Sequence, residues 1–390
     1  DSTLPWSRVP LAWLILTHQK RRFVLSLAGI AFAVVLMYME LGFLSALYDS
    51  QVALLQQLNA DLVVSSKAKY TMAINEAMPR GRLFQARAVA GVAAAYPLYV
   101  DFEQPSWRNP GTRGSRPIRV LGFNPADPVF LIPEIQARAE QLRQPDTALI
   151  DRQSQETYGR PEQGTVTELS RRRLHVVGTF SLGTDFVSHG NVVMSDKNFL
   201  KFFPPLRGPG PNLSRVELGL LKITPGADPA AVAAALREAL PPDVHIQTKQ
   251  EFIDQELRFW RDNTPLGYMF GLGAALGFVV GIVICYQILY TDIVDHLPQF
   301  ATLKAIGYRN RFVRRVVLHE ALLLSFLGHV PGLGMSYLLY GMLAGATGLP
   351  LHLPPERVLL LLALTIAMCT VSGILAARRV ITADPAEVFA

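Results

Sequence analysis

What most limits this chain's options is where its apolar stretches fall: one near the start, then a long polar stretch, then three more. A bilayer-spanning helix needs about 20 consecutive apolar residues. Four segments qualify: 24–46, 265–290, 316–344 and 358–377. No cleavage pattern follows the first, so it reads as a retained anchor and not a removed leader. The expected fold is an α-helical membrane protein with four transmembrane helices, carrying a large extracytoplasmic α+β domain between the first and second.

Orientation follows from the basic residues beside the helix ends. Lys20, Arg21 and Arg22 precede the first helix. Lys304, Arg309, Arg311, Arg314 and Arg315 lie between the second and third, and Arg378 and Arg379 follow the fourth. The 345–357 loop holds only Arg357, and Arg258 and Arg261 are the two charges that oppose the pattern. Both termini (1–23 and 378–390) and the 291–315 loop are therefore expected in the cytoplasm, with 47–262 outside. The net charge of +6 is topology, and no helix-turn-helix or RNP-like pattern points to nucleic acid.

Chemistry has little to build on. Cys285 and Cys369 fall inside apolar helices, so no disulfide is expected outside and no cysteine pair is evident. His175, His189 and His245 are scattered, so no metal site is expected. There is no G-x-x-x-x-G-K-[ST] phosphate loop and no G-x-S-x-G elbow. The chain reads as no enzyme, with any energy supplied by a partner. Glu40, His319 and Glu320 lie within or beside apolar helices but near their ends, so an intramembrane charge relay is not expected.

The outer segment carries helical and strand periodicities. Leu41, Leu44, Tyr48, Gln51, Leu55 and Leu58 continue an a/d stripe past the bilayer, giving a stalk helix at 47–60. Phe252, Phe259 and Trp260 mark a second at 249–264. Segment 61–101 reads as strand (61–66), helix (81–90), strand (96–101). Segment 214–248 repeats this as strand (216–224), a helix begun by Asp228 and Pro229, and strand (244–248). The two form one split subdomain of ferredoxin-like character. The insert between them, 102–213, shows short strands at 118–123, 148–151, 174–180 and 191–194, and reads as a second, mainly β subdomain.

Gly273, Gly277 and Gly281 share one face of the second membrane helix at small-xxx-small spacing, and Gly328 and Gly332 repeat it in the third beside Pro331, where a kink is expected. In the 291–315 loop, Leu297, Phe300, Leu303 and Ile306 fall three apart with Ala301 and Ala305 between, and Gly307 is placed to end a short helix. Such a helix is either a docking surface for a soluble partner or a plain connector.

The run HLPQFATLKAIGYRNRFV resembles the coupling helix of the FtsX-like, macrolide-exporter-type ABC permeases, whose members carry variants of E-x-A-x-L-K/R-A-I/M-G. The order of helices and outer domain is similar over the whole chain, and the ADPAEV tail resembles that family's D-P-x-E-A/V. More narrowly, ILYTDIVDHLPQFATLKAIGY, LKITPGADP and EFIDQELRFWRDNTPLGYMF resemble DevC-like permeases of cyanobacterial DevBCA-type exporters. Gln299 departs from the carboxylate common in the family.

The resemblance implies the type VII ABC transporter fold, with a porter-like subdomain at 61–101 and 214–248 and a β-rich, sabre-like insert at 102–213. It implies an ATPase-coupling helix formed by His296, Leu297, Gln299, Phe300, Ala301, Leu303, Lys304, Ile306, Gly307 and Tyr308. ATP and Mg would be bound by a partner ABC ATPase (DevA-like), with no cofactor in this chain. The other implied partners are a periplasmic adaptor (DevB-like), a TolC-like outer-membrane channel, membrane lipid and a second copy of the chain. The implied job is mechanotransmission from the bacterial inner membrane, exporting a glycolipid-like amphiphile. Competing readings are an FtsX-like transmitter that activates an extracytoplasmic hydrolase, a lipoprotein-extracting permease, and a membrane-anchored enzyme or receptor.

Overall fold

In the computed structural model, which describes residues 20–204, 214–299, 302, 306 and 310–382, the first element is one unbroken helix, α1 (Lys20–Gln56). There follow β1 (Leu62–Ser66), β2 (Met78–Pro79), α2 (Gly81–Arg87), β3 (Val92–Asp101), β4 (Ser106–Arg108), β5 (Ser115–Pro117) and β6 (Arg119–Phe123). Next come α3 (Pro133–Ala137), α4 (Ala139–Leu142), β7 (Thr147–Asp151), β8 (Val166–Leu169), β9 (Arg172–Phe180), β10 (Asn191–Ser195) and α5 (Asp196–Phe202). Then β11 (Arg215–Val216), β12 (Leu218–Ile223), α6 (Pro229–Ala239), β13 (Val244–Thr248) and α7 (Lys249–Asp262) lead to three long helices. These are α8 (Pro265–Asp295), α9 (Asn310–Thr347) and α10 (Pro355–Thr382).

The chain divides into two compact units. One takes the described parts of Asp1–Leu44, Tyr268–Met342 and Leu351–Ala390; the other takes Ser45–Gly267 and Leu343–Pro350.

In the second unit, β13, β1, β12 and β3 lie side by side in that order, each pair antiparallel. With α2 and α6 as the connecting helices, this is the ferredoxin-like arrangement, assembled from two stretches far apart in sequence. Both connections start cleanly. Asp228 accepts from the N–H groups of Ala230 and Ala231, with Pro229 in the first turn of α6. Thr248 and Glu251 form a reciprocal capping box that launches α7.

The insert is not a separate sheet. Leu98, Tyr99, Val100 and Asp101 at the outer end of β3 pair with Phe123, Gly122, Leu121 and Val120 of β6. From there the same sheet runs on through β10, β7, β9, β8, β4 and β5, making eleven strands. The reason is local: β3 is ten residues long, and the edge not taken by β12 is free for pairing.

Alternate residues of the central strands feed two cores, as strand pleat requires. Leu62, Val64, Val120, Ile150 and Val192 join α2, α5 and α6 on one face. Val63, Leu121, Leu149, Val193 and Leu220 join the outer part of α1 and α7 on the other. Full burial of each such side chain is worth about 1.5–3 kcal/mol. Gly219 in β12 lies under Leu83, where an added Cβ would come within 2.2 Å of its Cδ2, so any larger residue there would push the Leu83 side chain of α2 aside.

Among the described residues, four stretches are long and apolar enough to cross a membrane: Phe23–Gln56, Pro265–Asp295, Arg314–Thr347 and Pro355–Arg378, most of their length in the first unit. Their shared core includes Ile30, Val34, Leu289, Val317, Leu324, Leu361 and Met368.

Candidate functional site

Within the bundle, the small residues mark where helices meet. Gly273 lies against the Glu40 carboxyl, Gly277 against Leu36 and Met37, and Gly281 against Met368 and Ala33. Gly328 accommodates Ile30 and Gly332 accommodates Val34. In this chain these faces meet α1 and α10, so the close packing is already used inside one bundle.

His329 corrects the expectation that ionisable groups sit only near the helix ends. It lies mid-span on α9, two residues before Pro331, and is 4 % exposed. Its Nδ1 lies 3.2 Å from Thr365 Oγ1 on α10, and its Nε2 lies 3.2 Å from Tyr38 OH on α1. Thr365 Oγ1 donates its proton to the Leu361 carbonyl, so it accepts from Nδ1–H. Nε2 then accepts from Tyr38, and a neutral imidazole satisfies all three groups. The histidine pins three helices together. The sequence signal was present, an ionisable residue in the middle of an apolar run.

The two cysteines also meet in this bundle. Cys285 of α8 and Cys369 of α10 are both fully buried, free, and part of the same bundle core. They are a pair in space, 84 residues apart in sequence by their numbers, which no local spacing could reveal.

Only part of the 291–315 loop is described. Phe300, Ala301, Leu303, Lys304, Gly307 and Tyr308 lie outside the described residues. His296 is buried, and its Nδ1–H donates to the Asp292 carbonyl at 2.8 Å. Leu297 packs on the bundle core, while Gln299 and Ile306 are exposed. Thr302 Oγ1 donates to the Pro298 carbonyl and Ile306 N to the Thr302 carbonyl, a helical pattern. Among the described residues, the loop leaves the bundle on the anchored His296, and Gln299, Thr302 and Ile306 beyond it are exposed.

The third feature is the link between α7 and the sheet, which the sequence reading did not single out. Residues 67–77, between β1 and β2, look like a polar surface loop, yet Lys69, Thr71 and Met72 are buried. Glu256 of α7, 1 % exposed, accepts from Thr71 Oγ1 (2.9 Å), Met72 N (2.8 Å) and Trp260 Nε1 (2.8 Å). Lys69 Nζ donates to Glu217 at 2.9 Å and to the Ile74 carbonyl at 2.6 Å. Asn75 reaches Asp101, at the end of β3, at 3.4 Å. Burial pushes the carboxyls of Glu217 and Glu256 above their usual range, with the Lys69 charge pulling both partly back. At the start of α7, Lys249 Nζ donates to the Gln56 and Leu58 carbonyls, capping the end of α1.

No cluster of three or more His, Cys, Asp or Glu suited to a metal is found among the described residues.

Two family models match. Residues 23–239 match the MacB-like periplasmic core domain, and 271–385 match the FtsX-like permease C-terminal region. No curated protein matches the chain. Among solved structures, it is similar to the periplasmic region of MacB from Actinobacillus actinomycetemcomitans. That match has 10% identity over 51% of this chain and 92% of the other, with a TM-score of 0.35. It is also similar to the extracellular domain of the ABC-type transporter YknZ from Gram-positive bacteria, at 10% identity over 48% and 98%, TM-score 0.33. A third is a domain of a putative permease protein from Porphyromonas gingivalis, at 12% identity over 48% and 89%, TM-score 0.32.

Proposed function

As a member of the MacB/FtsX-type ABC transporter permease family, an inner-membrane protein with a periplasmic domain, the chain is, we propose, the permease subunit of a tripartite exporter that works by mechanotransmission. In this reading both termini and the 291–315 loop are cytoplasmic. Two copies pair with two copies of a separate DevA-like ATPase, which binds ATP and Mg. A DevB-like adaptor and a TolC-like channel complete the path, and the cargo is a periplasmic, glycolipid-like amphiphile. Residues 61–101 and 214–248 act as the porter-like part, with 102–213 as the sabre-like insert.

The observation that carries the reading is the joining, on one chain, of the periplasmic core and the permease half. The amphipathic cytoplasmic loop between α8 and α9 supports it. Leu297, Phe300, Leu303 and Ile306 would fill a groove on the ATPase, Lys304 would meet its acidic rim, and Gly307 would end the helix. Nucleotide-driven closure of the ATPases would then pull the stalks together and move the outer domains like bellows.

A pull-down of tagged full-length protein tests this, wild type beside Leu303→Asp, with partners identified by mass spectrometry. The expected result is an ATPase held by wild type and lost by the variant, and an adaptor held by both. A cell-wall hydrolase in place of the adaptor would favour a signalling role. No ATPase with either protein would overturn the reading.

A further inference from the structure

The 67–77 loop joins α7 to the sheet through charges, where apolar packing would have been the cheaper way to fill the space. Replacing buried ion pairs with apolar residues is often neutral or stabilising, so Lys69, Glu217 and Glu256 are poorly explained by stability alone. Apolar contacts resist separation but allow sliding. Short hydrogen bonds to a buried carboxylate are directional and resist sliding as well. Glu256 holds two successive loop residues, Thr71 and Met72, and the indole of Trp260 one turn along its own helix. From the loop, Lys69 runs to Glu217 just before β12, and Asn75 to Asp101 at the end of β3. The far ends of the loop therefore grip two strands, while Glu256 grips its middle from α7.

We propose that Glu256 is a positioning residue for transport: with loop 67–77 as a rigid strut, it makes the sheet follow α7 when the stalk moves. This rests on the exporter reading above for its motion, but not for its rigidity. Tyr70, between the two buried anchors Lys69 and Thr71, remains exposed and packs its ring on Phe259 of α7 at 5.5 Å, so the loop is held against the helix on both sides of its backbone.

The test uses the full-length chain with its co-purified ATPase, carrying Glu256→Gln, which keeps shape but loses one acceptor oxygen. Should that variant fail to fold, Thr71→Val removes a single donor in its place. Asp254→Asn on the same helix is the control. Hydrogen exchange without nucleotide reads the strut directly: Met72 and neighbouring amides should exchange about tenfold faster, the loss expected for one charged hydrogen bond, while Asp254→Asn leaves them unchanged. Unchanged exchange in Glu256→Gln would overturn the proposal.

Spin labels then read transmission between two copies, one at Arg258→Cys on α7 and one at Val166→Cys in the insert, with and without ATP and Mg. The expected outcome is an unaltered shift at residue 258 and a shift at residue 166 reduced about fivefold or more. Equal shifts at both in the variant would overturn the proposal. Absence of any shift in wild type would instead overturn the exporter reading, leaving the exchange result to decide the strut. A purely stabilising Glu256 would lower both shifts together.

Discussion

Glu217 and Glu256 hold their protons more tightly in the folded chain than in the unfolded one, because burial disfavours the charged carboxyl. Both start from an ordinary value of 4.5 and are raised on folding, so between 4.5 and their folded values the native state binds more protons. Linkage then makes their contribution to stability fully present below 4.5 and lost as pH rises through the folded values. Burial lifts Asp101, at the end of β3, in the same direction. The outer domain should therefore unfold at a higher temperature as pH is lowered through the raised folded values toward 4.5, and Glu256→Gln should flatten that slope. A melting temperature that falls over the same range in wild type would contradict this. None of these carboxyls could be singled out from sequence. Glu256 sits among six charged residues of α7, and only the arrival of a distant loop gives it partners. His329 was the legible one, an ionisable residue in an apolar run, and it was missed by looking at helix ends.

Individual elements were easier to read than their partners. The α7 helix was expected at 249–264 and runs Lys249–Asp262, because its apolar spacing and its Thr248/Glu251 start are local signals. The strands expected at 61–66, 118–123, 148–151 and 191–194 all have counterparts within a residue of those limits. Pairing is another matter. Nothing in the alternation of β3 or β6 says that they lie side by side, and the insert, read from sequence as a second, mainly β subdomain, turns out to continue the same sheet. At this scale Thr248→Ala should destabilise the outer domain by about 1 kcal/mol, the usual worth of such a cap. It does so by freeing the Glu251 N–H, which the threonine hydroxyl accepts at 3.1 Å. Chemical denaturation of the full chain would show it, and a change below about 0.3 kcal/mol would mean that the α7 start is held by its packing and not by the cap.

For the molecule as a whole, the described bundle makes its own prediction through the two thiols. Cys285 and Cys369 are sealed between α8 and α10, and a thiol closed off from solvent is inert. A maleimide should label neither in the folded protein and both after unfolding in detergent. Labelling of the folded protein would mean that α8 and α10 part from one another during the working cycle. The fold class, with its four apolar helices and large outer domain, was legible because membrane thickness imposes a length that sequence cannot disguise. Six of the ten residues expected to form the coupling helix lie outside the described residues, so that expectation rests on the sequence pattern.

The continuity of the eleven-stranded sheet also bears on how this protein could be trimmed. The 102–213 insert looks like a detachable module, but β6 is what covers the open side of β3. Excising it would leave Leu98, Tyr99 and Val100, all buried in the intact chain, on a bare strand edge. Exposed apolar edges recruit strands from neighbouring molecules. A minimal version of the outer domain would consequently aggregate unless it kept β6 or gained a lysine or proline along that edge. By this account the insert guards the open edge of β3 and with it the solubility of the four-stranded half.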